Sequence, residues 1–347
     1  MIVSRNQDSQ PGLSGSSSPD RDGARMSLVA WKDAYLVLYL ALMTAIAWCV
    51  PERYWPGVAS GIERLFWRAQ RQPRPSKRKW LDRTARLIAD FLAAKSAEEI
   101  LRGCSVYNHL ATLQLLRCHR PGGWHPRIQL SGEDRLRLAL DAGRGAILWV
   151  HSTATSHIVT KMAFHRAGFR VSHLSRYTHG FSPTRFGWRV LNPVRTIAER
   201  RFLAERLEIG PAGPFVQGKE GPERAVDAIT RRLEAGQVVS ITFIDAQARK
   251  PLYMPLLNGW LPVGDGAIRL ARRTGAALFP VVTVMQEDGS FVTTIEPALE
   301  VPAAGDGDGA AEEALGAYGR LLEGHVLRAP EQFSLWYQAV KSPCAPA

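Results

Sequence analysis

GRGAILWVHSTATSH, residues 143–157, decides the class of fold to expect. Gly143 stops a preceding helix, and Gly145 to Val150 is a short unbroken apolar run, the pattern of a strand buried on both faces. The run ends at His151, just before a helix expected over Ser156 to Ala167 and stopped by Gly168. Outward from this stretch the same rhythm repeats. Ser131 is expected to cap a helix through Ala142, and FRVSHLS is the strand after Gly168. Pro222 to Ala235 reads as a helix with proline near its start and Gly236 at its end, followed by the strand VVSITFI and then Asp245. Asp265 to Arg273 is a further helix, followed by Gly275 and the strand AALFPVVTV, with the turn EDGS leading into SFVTTIEPAL. This alternation predicts an α/β fold with a mostly parallel central sheet flanked by helices and an antiparallel element near the end. Ligands of such sheets bind at the carboxyl ends of the strands, where both His151 and Asp245 fall.

The N-terminal third follows a different rule. Residues Met1 to Met26 are rich in Ser, Gly, Asp, Arg and Pro without apolar periodicity, which predicts a disordered tail. Ala34 to Val50, AYLVLYLALMTAIAWCV, is free of charge over about 17 residues, the lower edge of what crosses a hydrocarbon core. A buried core helix is the competing reading. Arg53, Arg64, Arg68, Arg71, Arg74, Lys77, Arg78 and Lys79 crowd its C-terminal flank with Trp48, Trp55 and Trp67 among them, which favours a membrane anchor with the body of the chain on the cytoplasmic side. Between Trp80 and Leu116 the leucines recur at helical spacing, as expected of two packing helices. The organisation expected is therefore a tail over 1–26, a membrane-anchoring helix within 27–55, a basic linker with packing helices over 56–130, and the α/β core over 131–347.

Composition narrows the partners. Lys and Arg number 44 against 32 Asp and Glu, a formal charge of +12, which suits an anionic partner. No zinc-finger, RNP or KH pattern accompanies the basic stretch, so no nucleic-acid partner is expected. Cys49, Cys104, Cys118 and Cys344 have no CxxC or metal-ligand spacing, which predicts free thiols in a reducing compartment and no metal. At the strand end His151 would stand beside free helix N–H groups, a setting suited to a general base and to developing negative charge. The residue pattern alone favours a structural or capping histidine.

Four blocks in order change that balance. They are GRGAILWVHST, AVDAITRRLEAGQVVSITFIDAQ, PLLNGWLPVGDGAIRLARRTGAALFPVV and PEQFSLW (Pro330 to Trp336). In these blocks the chain resembles the lysophospholipid acyltransferase superfamily, and within it the lipid A biosynthesis lauroyl/myristoyl acyltransferases. The resemblance runs from the apolar anchor to the last block. It implies transfer of a fatty acyl chain from an acyl-carrier-protein or coenzyme A thioester to a hydroxyl or amine of a lipid or lipid-like acceptor at a bacterial-type inner membrane, with no covalent intermediate, metal or resident cofactor. His151 would be the general base. The family signature places Asp or Glu five positions after the histidine; here that position is Ser156. Ser156 holding the imidazole by a neutral hydrogen bond, Asp245 approaching it in space, and loss of activity in favour of lipid binding or scaffolding are the three alternatives. The Arg-rich segment between the blocks implies acceptor head-group contacts by Arg176 and Arg185, against the alternative of a solvated charged helical face from Thr196 to Leu207. His157, His173 and His179 are expected to be peripheral or structural.

Overall fold

The computed structural model describes residues 28–69, 82, 84–87, 95–151, 153, 156–176, 184–209, 221–243, 252–301 and 309–336. The tail, Asp245, His179, Cys344 and most of the basic stretch after Ala69 lie outside them.

Seven strands form one sheet: β1 (Ile128–Ser131), β2 (Ala146–Val150), β3 (Val171–Arg176), β4 (Glu205–Ile209), β5 (Val238–Thr242), β8 (Ala277–Met285) and β9 (Phe291–Ile295), in the order β1-β9-β8-β2-β5-β3-β4. The run β8-β2-β5-β3-β4 is parallel throughout, and β9 pairs antiparallel with β8 and parallel with β1. The all-apolar run read from the sequence is the consequence: β2 is buried at every residue because it sits at the centre of the parallel part with a layer on each face. Its entry needs glycine. Gly145 has φ +47°, and a Cβ there would meet the carbonyl oxygen of Leu233.

Alternate residues of β2 feed two cores. Ile147 and Trp149 join Phe243, Tyr318, Leu322, Phe333 and Trp336 on one face, while Leu148 and Val150 join Leu136, Phe164 and Phe279 on the other. The first face is covered by α7 (Gly221–Glu234), α8 (Gly266–Thr274), α9 (Gly309–Arg328) and a hairpin of β6 (Leu252–Leu256) and β7 (Gly259–Val263). The second is covered by α4 (Glu133–Asp141) and α5 (Ser156–Arg166), with α6 (Asn192–Arg200) beyond.

Outside the sheet, α1 (Trp31–Cys49), α2 (Trp55–Ala69) and α3 (Ala97–Arg117) form a separate apolar cluster through Leu36, Leu40, Met43, Ala47, Trp55, Ala59, Leu110, Leu113 and Leu116. At 19 residues α1 is long and apolar enough to cross a membrane.

Three expectations are corrected. Ser131 ends β1, and the cap of α4 is Gly132, in the left-handed region at φ +79°, where a Cβ would meet the carbonyl oxygen of Ile295. The sheet thus begins at Ile128, inside the segment assigned to linker and packing helices. The charged run from Thr196 to Leu207 is not one helix: α6 ends at Arg200 and the chain re-enters the sheet as β4, whose Arg206 bonds Ser175 of β3 (3.1 Å) and Thr196 (2.6 Å). Among the described cysteines, Cys49, Cys104 and Cys118 are free.

Candidate active site

His151 continues β2 by one residue: its backbone N–H donates to Val281 O of β8 (2.7 Å), and Phe243 N–H donates to Val150 O (2.7 Å). Alternation along the strand turns its side chain to the face that carries Ile147 and Trp149. There the ring stacks on Phe333 with centroids 5.2 Å apart and planes 6° from parallel, and Phe243 lies 5.7 Å away at 50°. Behind them Trp149 packs on Phe243 and Tyr318, and Trp336 packs edge-on to Phe333. Thr153 fastens the segment that follows, pairing with Phe333 and donating from Oγ1 to Thr283 O (2.8 Å). The block PEQFSLW therefore forms the wall over the histidine, Phe333 stacking on its ring and Trp336 packing on Phe333.

The environment is hostile to a charged imidazole. His151 is 1% exposed, and neither Nδ1 nor Nε2 has a hydrogen-bond partner among the described residues. Burial, with a smaller contribution from His325, drives its pKa down to about 3. The ring is therefore neutral across physiological pH, with at least one basic nitrogen available. Leaving a buried polar group unsatisfied costs on the order of 1–3 kcal/mol, so the arrangement persists against a stability gradient, as functional groups often do.

A small cavity adjoins the ring, with room for about one water. Its polar lining is His151, Thr153, His325 and Gln332, and its other walls are Val282, Val284, Leu322, Val326, Ala329 and Phe333. His325, in the last turn of α9, lies 2.7 Å through Nε2 from Oε1 of Glu296, just past β9. That bond first of all holds the Glu296 carboxyl below its usual range, so the carboxylate accepts and the histidine donates from Nε2. The sequence reading missed both. His325 and Glu296 stand 29 residues apart and far from His151 along the chain, so no local spacing signals them.

The opposite face of the sheet carries a second small cavity, lined by Val150, Thr160, Lys161, Phe164, Val171, His173, Leu203, Ser240 and Thr242. Its polar groups are paired. Lys161 Nζ lies 3.4 Å from Glu199 Oε1, and Arg195 Nε donates to the same oxygen at 3.0 Å. Burial lowers the Lys161 amine, whereas Glu199 is held below the usual carboxylate range because Lys161 and Arg195 outweigh its burial. His173 Nδ1 is 2.7 Å from Ser240 Oγ, and the two are register partners on β3 and β5, so this pair is a cross-strand contact within the sheet.

The other expected site residues divide as follows. Ser156 opens α5, which places its backbone near the strand end as expected; its side chain, like that of His157, falls outside the description, and Asp245 does so entirely. Arg176 ends β3, described in its backbone only, and Arg185 is half-buried just before a π-helical turn at Gly187–Leu191. Among the described residues no group of three or more His, Cys, Asp or Glu is arranged to hold a metal ion. Comparison with protein-family models matches none, and comparison with curated proteins gives no relative.

Proposed function

We propose that the protein is a membrane-associated acyltransferase that moves a fatty acyl chain from an acyl-carrier-protein or coenzyme A thioester to a hydroxyl or amine of a lipid-like acceptor. The observation that carries this reading is the buried imidazole of His151, without a hydrogen-bond partner among the described residues, at the carboxyl end of the central strand and one short segment before the start of α5. In the proposed step an imidazole nitrogen takes the acceptor's proton as its oxygen or nitrogen attacks the thioester carbonyl. The tetrahedral oxyanion forms near the free N–H groups at the start of α5, then collapses with cleavage of the C–S bond. The departing thiolate recovers the proton from the imidazolium, so no covalent acyl-enzyme is needed. A buried base of low pKa is weak until negative charge approaches it, and the oxyanion supplies that charge in the transition state. Arg176 and Arg185 are proposed to meet the acceptor's anionic head group, Ser156 to orient the imidazole, and Asp245 is the alternative acid. The setting proposed is the cytoplasmic face of a bacterial-type inner membrane.

One observation favours a second reading. Phe333 lies flat against His151, and no described carboxylate bonds its ring. This suits a catalytically impaired relative that binds lipid or serves as a scaffold. Incubating the full chain and the His151→Ala variant with an isotopically labelled acyl thioester and a membrane lipid extract separates the two. Labelled product from the parent chain and none from the variant is expected. Lipid retained by both chains without any labelled product would replace transfer with binding.

A further inference from the structure

We propose that α1 lies in the plane of an anionic bilayer surface alongside the rest of the protein instead of crossing the bilayer. The proposal rests on the membrane association put forward above but not on acyl transfer.

A helix of 19 residues is about 28 Å long, so a spanning helix would carry its two ends to opposite sides of the membrane. Here both ends are fastened to the same body. At the start, Asp33 is 1% exposed; its Oδ2 accepts from Ala30 N (2.8 Å) and from Thr184 Oγ1 (2.7 Å), and Phe186 N donates to Leu28 O (3.0 Å). At the far end, Arg117 of α3 donates to Ala47 O (2.7 Å), and Trp48 Nε1 donates to Leu116 O (3.2 Å).

Between these ties one side of the helix is covered along its whole length. Leu36, Leu40, Met43 and Ala47 follow Asp33 at steps of three and four and pack on α2 and α3. Tyr39 extends this seam into a polar network: its hydroxyl lies 2.7 Å from His109 Nδ1, His109 Nε2 is 3.7 Å from Glu63 Oε2, and Ser105 also donates to Glu63. A spanning α1 would either strip this network or take a buried carboxylate and histidine into hydrocarbon, which bilayers penalise heavily.

The other side is uncovered and apolar. Trp31 is 84% exposed, Leu38 71% and Leu42 55%, with Tyr35 on the same stripe and Trp48 at its end. Lys32, Arg53 and Arg64 are exposed on α1 and the segment after it, and Arg53 sits 4.8 Å over the ring of Tyr54. An apolar stripe with interfacial aromatics and a cationic surround fits the headgroup and acyl boundary of an anionic membrane. A second copy of a chain carrying +12 would meet it with like charge.

Two measurements test this. Tags are fused to both termini of the full chain, and protease is added to sealed membrane vesicles in which the C-terminal tag is accessible. The N-terminal tag is expected to be cut at the same rate; protection until detergent is added would show that α1 spans, and would overturn the proposal. Separately, Leu38→Glu with Leu42→Glu is compared with the parent chain for sedimentation with phosphatidylcholine vesicles with and without phosphatidylglycerol. The parent is expected to prefer the anionic vesicles in a salt-dependent way. The variant should bind roughly a hundredfold more weakly with unchanged circular dichroism, since both residues are exposed. Equal binding by both chains overturns the proposal, as does a dimer in the absence of lipid that the two substitutions dissolve. Transfer assayed in detergent micelles reads His151 independently, so either proposal can fail alone.

Discussion

The two faces of the central sheet bury polar side chains in opposite ways. On the α5 face, Lys161, Glu199, Arg195, His173 and Ser240 meet one another at hydrogen-bonding or ion-pair distance. On the α9 face, His151 is also buried and, among the described residues, meets aromatic rings and a small cavity. Burial alone therefore does not separate architecture from chemistry in this fold. What distinguishes these two groups is that both ring nitrogens of His151 lack a partner among the described residues. The Lys161–Glu199–Arg195 contacts tie α5 to α6 and the His173–Ser240 contact ties β3 to β5, whereas the ring of His151 has no hydrogen-bond partner among the described residues.

The sharpest way to break this comparison is to make His151 apolar. His151→Phe is expected to lower acyl transfer by about 10²–10⁴-fold, the usual range for a general base. The same change should leave stability in urea unchanged or raise it by about 1 kcal/mol, because it removes an unsatisfied buried group. A clear loss of stability would mean that the ring has a structural partner. On the other face the sign reverses. Glu199→Gln leaves Lys161 and Arg195 without their carboxylate and is expected to cost about 3–5 kcal/mol in urea unfolding. A cost well under about 1 kcal/mol would show that this cluster does not hold the fold.

Acid sharpens the contrast further. His151 has a folded pKa of about 3, below its unfolded value near 6.5, so the unfolded chain binds the proton first as pH falls. Its contribution is complete above about pH 6.5 and is lost from there down to about pH 3, with a slope of up to about 1.4 kcal/mol per pH unit. Urea midpoints measured between pH 7 and 4 should fall less steeply in His151→Phe, by the equivalent of one proton. Parallel profiles would mean that the ring is charged or hydrated in the fold. The smallest effect is expected from Ser240→Ala, which deprives His173 Nδ1 of its partner and should cost about 1–2 kcal/mol by thermal unfolding, with transfer unchanged.

These contrasts also mark how far the sequence could be read. Strands β2, β5 and β8 were legible because each is a short, largely apolar run that follows a glycine, and a Cβ at Gly145 would meet the carbonyl of Leu233. β4 was not legible: Glu205, Arg206 and Glu208 give an edge strand the charge pattern of a helical surface, and only pairing with β3 decides the matter. The hairpin of β6 and β7 carried a turn signal at Asn258 and Gly259, but Pro255 and Pro262 obscured the strands. His151 was legible as a histidine at a strand end. Its stacking on Phe333, far along the chain, and the Glu296–His325 pair, 29 residues apart, were not, because neither separation leaves a local pattern.

The closing wall over His151 has a consequence for synthesis. The ring's surroundings come from residues 149–153, 243, 281–284, 322–329 and 332–333, so a nascent chain carries the histidine for most of translation before its cover exists. At about 5–20 residues per second, the roughly 180 residues between His151 and Phe333 take about 9–36 seconds to emerge. The burial that lowers the pKa of the ring is therefore complete only once the last block has folded onto the sheet.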